Sequence, residues 1–204
     1  MAPAPPERAS GNRSQRPSYG PSGMEEHPLT DGHLSAVLGA ADADLLAFIS
    51  ILALSGMRPD ELRRLRVAHC GHGVFQVGAH VENHGPREVP IHSALARTTI
   101  RLARGRASDA FLIRDGAESG PAPSPMQRQF DACLEAVGAV RLRPTIHGLR
   151  RWFIEKSLGA GQPPHTVATV VGAVHPHGAR WRPEPTWGQR CACVEAVHLP
   201  RATL

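Results

Sequence analysis

Tyrosine and lysine are all but missing from this 204-residue chain: Tyr19 and Lys156 are the only ones. Aromatic residues as a whole make up 4%, so a core has to be built mainly from Leu, Val, Ile and Ala. No run of about 18 apolar residues occurs, which excludes a membrane-spanning helix of ordinary length. The N-terminus has no apolar stretch of the kind a secretory signal needs. The cysteines, Cys70, Cys133, Cys191 and Cys193, form no disulfide framework, so a reduced, cytoplasmic chain is the default expectation. Nothing in the sequence calls for a cofactor.

What is present suits a folded domain with a polyanionic partner. Hydrophobic residues account for 41% of the chain, within the globular range. The formal net charge of +5 favours nucleic acid. Because nearly all the positive charge is arginine and Ala, Gly and Pro are abundant, the composition looks like GC-rich coding bias. The position of an arginine therefore carries more information than the number of them.

Organisation follows from composition and period. Residues 1–27 are Pro-, Ser- and Arg-rich with almost no large apolar residue, and read as a disordered tail. Thr30 is placed to cap a helix carrying Leu34, Val37 and Leu38 on one face. Residues 42–54 form a second, strongly apolar helix that must be buried on most sides. Ser55-Gly56-Met57-Arg58-Pro59 breaks it, and Pro59 suits the first turn of a third helix running through Leu62 and Leu65. Residues 73–91 change period and predict two strands around a turn at Glu82-Asn83-His84-Gly85-Pro86. Helices are expected near 93–104, 125–138, 146–159 and 165–171, with a loop at 105–123 around Phe111-Leu112-Ile113. Beyond Gly172 no period is evident. The fold class is α+β, mainly helical, with one small antiparallel hairpin.

Two segments carry candidate chemistry. In Gly56-Met57-Arg58-Pro59-Asp60-Glu61-Leu62 an arginine sits on a tight turn entering a helix, close to N–H groups that favour anions. Read blandly, it is an exposed arginine balanced by Glu61. In His147-Gly148-Leu149-Arg150 a histidine and an arginine three residues apart share a helix face, able to donate to phosphate oxygens and to move a proton. Here the bland alternative is a solvated helix face. A third cluster, His175 and His177 with Cys191 and Cys193, has zinc-competent residue types but not the usual Cys-x-x-Cys spacing, so no metal site is expected.

The order of these segments resembles the catalytic domain of the tyrosine recombinases, the phage-integrase-like family, over residues 28–172. The resemblance rests on Ser55-Gly56-Met57-Arg58-Pro59-Asp60-Glu61-Leu62 with Leu65, on the hairpin exit Val89-Pro90-Ile91, and on His147-Gly148-Leu149-Arg150. It implies a tyrosine-recombinase-like catalytic domain acting on double-stranded DNA, alongside other recombinase protomers. In such enzymes two arginines hold the scissile phosphate and stabilise the charge of the transition state. A histidine assists proton transfer, a hairpin lysine protonates the leaving oxygen, and a tyrosine forms a phosphotyrosyl link. Carried over, Arg58 and Arg150 are the two arginines and His147 the histidine. Arg58, Arg87, Arg150 and Arg151 are the expected DNA contacts, and Glu61 orients the arginine turn.

Three departures qualify the resemblance. The hairpin turn has no lysine; the family position falls near Asn83, with His80, His84 and Arg87 as substitutes, of which Arg87 is a poor acid. The family's Leu-Gly-His reads Val171-Gly172-Ala173. The nucleophile's position near Arg182 has no tyrosine, and Tyr19 lies on the N-terminal tail. Residues 173–204 therefore read as an irregular tail without family motifs, expected to pack poorly and consistent with a reading-frame shift near codon 173. The sequence leaves three functions open: a recombinase homologue defective in cleavage, a non-catalytic DNA-binding regulator of recombination, and an integrase gene remnant. A small all-helical transcription regulator is disfavoured by the hairpin.

Overall fold

The computed structural model describes residues 28–78, 86–115, 123–138, 144–173 and 183–201. The N-terminal tail with Tyr19, the turn residues His80, Asn83 and His84, and His175, His177, Trp181 and Arg182 lie outside the described residues.

Local signals in the sequence start the helices where they were expected. In α1 (Asp31–Ala40) the Thr30 hydroxyl accepts the His33 N–H, and the His33 ring accepts the Thr30 N–H in return. In α2 (Ala43–Ser55) Asp42 accepts the N–H groups of Asp44 and Leu45 at 3.1 and 2.8 Å. Leu45, Phe48, Ile49, Ile51, Leu52 and Leu54 are all buried. Burial on most sides, with Leu46 left exposed, makes α2 the central rod, with α5 (Pro125–Ala136) and α6 (Gly148–Gly159) packed against it.

Gly56 ends α2 in the left-handed conformation at φ +65°, and α3 (Pro59–Arg63) follows, shorter than the expected run through Leu65. A 3₁₀ turn at Val67–His69 leads into a three-stranded antiparallel sheet. Its strands are β1 (Cys70–Gly71), β2 (Val74–Val77) and β3 (Arg87–Pro90), in that order. The hairpin pairs Phe75 with Val89 and Val77 with Arg87. Two strands were expected; β1 is two residues long, too short to show a period. The 93–104 segment divides into a 3₁₀ turn, Ser93–Leu95, and α4 (Ala96–Ala103). The loop after α4 is pinned by the Leu112 N–H donating to the Leu65 carbonyl at 2.7 Å, which buries Leu112 and Ile113.

The largest difference lies beyond Gly172. Instead of an irregular tail, Trp187–Glu195 forms a helix, α8, with the Thr186 hydroxyl accepting the Gln189 N–H and the Gln189 side chain accepting the Thr186 N–H. It packs against α7 (Pro164–Val171), α2 and β3, and buries Cys193, Val194 and Val197 completely. The segment is tied down at three further points. Val197 O lies 3.0 Å from His92 Nε2, the Glu195 carboxylate accepts the Ser93 N–H and hydroxyl at 2.6 and 2.7 Å, and the Ser35 hydroxyl donates to the Arg201 carbonyl. Residues 183–201 pack against the body, which corrects the poor-packing expectation for that stretch.

Candidate phosphate-binding site

Gly56 brings the two expected arginines to one turn. Its positive φ lets the chain reverse from α2 into α3, and its missing side chain lets α6 and α7 close in. A Cβ there would lie 2.5 Å from Phe153 Cδ1 and 2.7 Å from Val171 Cγ1. From α6, Arg150 donates Nη1–H to the Gly56 carbonyl at 2.9 Å and to the Val171 carbonyl. Arg58 lies two residues after Gly56. The strained geometry alone costs alanine about 1–2 kcal/mol, before the collision with Phe153 is counted. Gly56→Ala is therefore expected to lose more than about 2 kcal/mol in urea unfolding; an unchanged midpoint would show that the turn relaxes freely.

Arg58 is 31% exposed. Its Nη1 donates to Glu61 Oε1 at 3.1 Å and its backbone N–H donates to Glu61 Oε2 at 2.8 Å. Nε and Nη2 make no hydrogen bond among the described residues, which leaves one edge of the guanidinium open to a ligand. Glu61 is thus the partner that orients the arginine turn, as the sequence suggested. His147 is exposed at the start of α6, one turn before Arg150, and Arg151 is exposed beside it with Nε 3.0 Å from Glu155 Oε1.

Arg87 is the exception. Expected to face DNA, it is turned inward, 9% exposed. Its Nη1 and Nη2 donate to Glu61 Oε1 and Oε2, each at 2.8 Å, and its Nε donates to the Val170 carbonyl at 3.0 Å. All three nitrogens are occupied, so it is neither a surface phosphate contact nor a stand-in for the hairpin lysine. Glu61, 3% exposed, accepts four hydrogen bonds in all. Burial alone would raise its pKa, but the hydrogen bonds and charge of Arg87, with the smaller contribution of Arg58, more than offset this and hold it at about 2.

Of the tail cluster, only Cys191 and Cys193 lie among the described residues. Cys193 is buried in the core, its thiol pushed up to about 11 by burial, and no described group of three His, Cys, Asp or Glu residues is placed to hold a metal. The four cysteines are free thiols. No described helix is long and apolar enough to cross a membrane.

Comparison with solved structures defines the class of fold. The integrase from mycobacterium phage Brujita superposes with a TM-score of 0.61 at 17% identity, covering 95% of this chain and 63% of that one. The Tn1549 transposon integrase gives 0.58 at 17% identity, over 83% and 65% of the two chains. A lambda integrase fragment gives 0.58 at 14% identity, over 82% and 64%. The chain therefore has a tyrosine-recombinase-like fold, and spans less than two thirds of the length of these neighbours. The Brujita likeness leaves only 5% of the chain uncovered, about ten residues, so it reaches well past Gly172. No family model and no curated protein matches the sequence.

Proposed function

We propose that the chain is a site-specific DNA recombinase or integrase homologue that grips a DNA phosphate but does not itself cut the strand, and that it works in the cytoplasm. The observation that carries this reading is the junction of Arg150 with the Gly56 carbonyl, 2.9 Å long, which fixes one family arginine against the turn that bears the other. Two guanidinium groups held in one frame suit the non-bridging oxygens of a phosphodiester. His147, exposed a turn before Arg150, is placed to assist proton transfer, and Arg151 adds a phosphate contact at the rim. Neighbours of this fold are known as a lambda integrase dimer bound to a core site, a lambda integrase tetramer bound to a Holliday junction, and a Tn1549 integrase bound to circular intermediate DNA. Double-stranded DNA and other recombinase protomers are accordingly the proposed partners.

Binding that rests on phosphates is weak, salt-dependent and largely blind to sequence. Affinity for a labelled duplex, followed by fluorescence anisotropy, is expected to fall steeply from 50 to 200 mM salt. Arg58→Ala should reduce the slope of log Kd against log salt by about one. An affinity indifferent to salt would remove the phosphate reading.

Cleavage chemistry needs a nucleophile in line with the leaving oxygen. The only tyrosine, Tyr19, precedes the site residues by many positions, and every copy of the chain shares this lack, so donation between copies does not cure it. With a nicked suicide substrate the chain is expected to give no covalent adduct on a denaturing gel. An adduct that disappears in Tyr19→Phe would make Tyr19 the nucleophile and overturn the inactive reading.

A further inference from the structure

Arg87 joins three parts of the chain that bear on the phosphate site. Its forked pair to Glu61 reaches α3, where the same carboxylate holds both the backbone and the side chain of Arg58. Its Nε–H reaches the Val170 carbonyl at the end of α7, one residue before the Val171 carbonyl that accepts from Arg150. The guanidinium also lies over Gly172, so closely that a Cβ there would sit 2.8 Å from Nη1. Gly172 in turn caps α7 at φ +67°. Each arginine expected on the phosphate is therefore one link away from Arg87, Arg58 through Glu61 and Arg150 through the end of α7.

We propose that Arg87 is a positioning residue: from β3 it locks Glu61 and the C-terminal end of α7 into one frame and so sets the open edge of Arg58 relative to Arg150. The proposal rests on the phosphate reading above for its purpose, but not for its geometry. Arginine is required because only a planar fork engages both carboxylate oxygens and a carbonyl at once; lysine offers a single point charge. If the role is positioning, Arg87 acts on DNA only through Arg58 and Arg150, and through Arg58 chiefly, by the shared Glu61 carboxylate.

The test uses Arg87→Lys, which keeps a positive charge beside buried Glu61 and so preserves folding better than Arg87→Gln. Duplex affinity is measured with Arg58 present and in an Arg58→Ala background, thermal unfolding being followed in parallel. The expected result is about a fivefold loss from Arg87→Lys when Arg58 is present, equivalent to roughly 1 kcal/mol, and a clearly smaller loss in Arg58→Ala. Equal losses in both backgrounds would overturn the proposal and leave Arg87 a general stabilising residue. A second readout needs no DNA: the backbone N–H signal of Arg58 in NMR, which donates to Glu61 Oε2, is expected to shift in Arg87→Lys. An unchanged Arg58 signal also overturns the proposal. If the parent chain binds no duplex at all, the phosphate reading fails and the NMR result alone decides the positioning role.

Discussion

Glu61→Gln is expected to destabilise the chain by on the order of 3–5 kcal/mol, the usual cost of removing one partner of a buried ion pair. Glutamine matches the shape of glutamate but supplies one acceptor oxygen where two now accept four hydrogen bonds. Its amide group would face Arg87 donors directly. Arg87, 9% exposed, would keep its charge with no carboxylate to balance it, held only by the Val170 carbonyl and at most one amide oxygen. Urea unfolding checks the size of the loss. Pairing Glu61→Gln with Arg87→Met should recover part of it, because two matched uncharged residues no longer bury an orphan charge. Failure of the second change to recover anything would mean that Arg87 is not the source of the cost.

Acid gives an independent measure of the same pair. Glu61 titrates at about 2 in the folded chain against an ordinary 4.5. A depressed folded pKa means that the stabilisation is fully present above pH 4.5 and is lost as the pH falls from there towards 2. The difference corresponds to about 3 kcal/mol at 1.36 kcal/mol per unit. Asp31 and Glu195 are also held below their ordinary range, but both are largely exposed and add little. The acid-unfolding curve of Glu61→Gln should therefore be flatter than the parent's between pH 4.5 and 2. Parallel curves would mean that the carboxylate is not held by its arginines.

How much of this was legible in the sequence depends on whether the signal was local. The caps at Thr30 and Asp42, the apolar run of α2 and the break at Gly56 are local, and the elements fall where they point. The contact of Arg150 with the Gly56 turn was foreshadowed only by motif order, since it spans 94 positions and no local rule foresees it. Arg87 was misjudged although its signal was there. Side chains alternate along a strand, so Arg87 shares a face with Val89, which points into the core. The pleat, not the charge, decides that Arg87 points inward. Helix α8 was missed for another reason. Its buried residues are few and include Cys193, which acts there as a small hydrophobe, so no apolar stripe stands out among the Pro, Arg and Trp residues. The Thr186-x-x-Gln189 capping box was the one local sign of it.

Removal of residues 183–204 is expected to abolish cooperative folding, not merely to trim a tail. The deletion takes away Cys193, Val194 and Val197, all fully buried, and uncovers the faces of α7, α2 and β3 beneath them. Burying a side chain of this size contributes roughly 1.5–3 kcal/mol, so the three together approach the 5–15 kcal/mol that holds a typical domain. The ties from Glu195 to Ser93 and from Val197 to His92 go as well, leaving His92, which is buried, without its carbonyl partner. A chain ending at residue 182 should show no sharp thermal transition and should lose the near-ultraviolet signal of Trp152, which is buried on α6. A milder change isolates the packing contribution: Val194→Ala should cost about 2 kcal/mol, lost transfer energy plus a cavity, while leaving the transition cooperative. Limited proteolysis supplies the third arm, with the peptide bonds of α8 resisting cleavage in the parent chain and yielding in Val194→Asp, where an unpaired carboxylate is forced into the core. A chain ending at 182 that melts as sharply and at the same temperature as the full chain would return residues 183–201 to the status of a passive tail, and would take with it the argument that this segment belongs to the recombinase-like body.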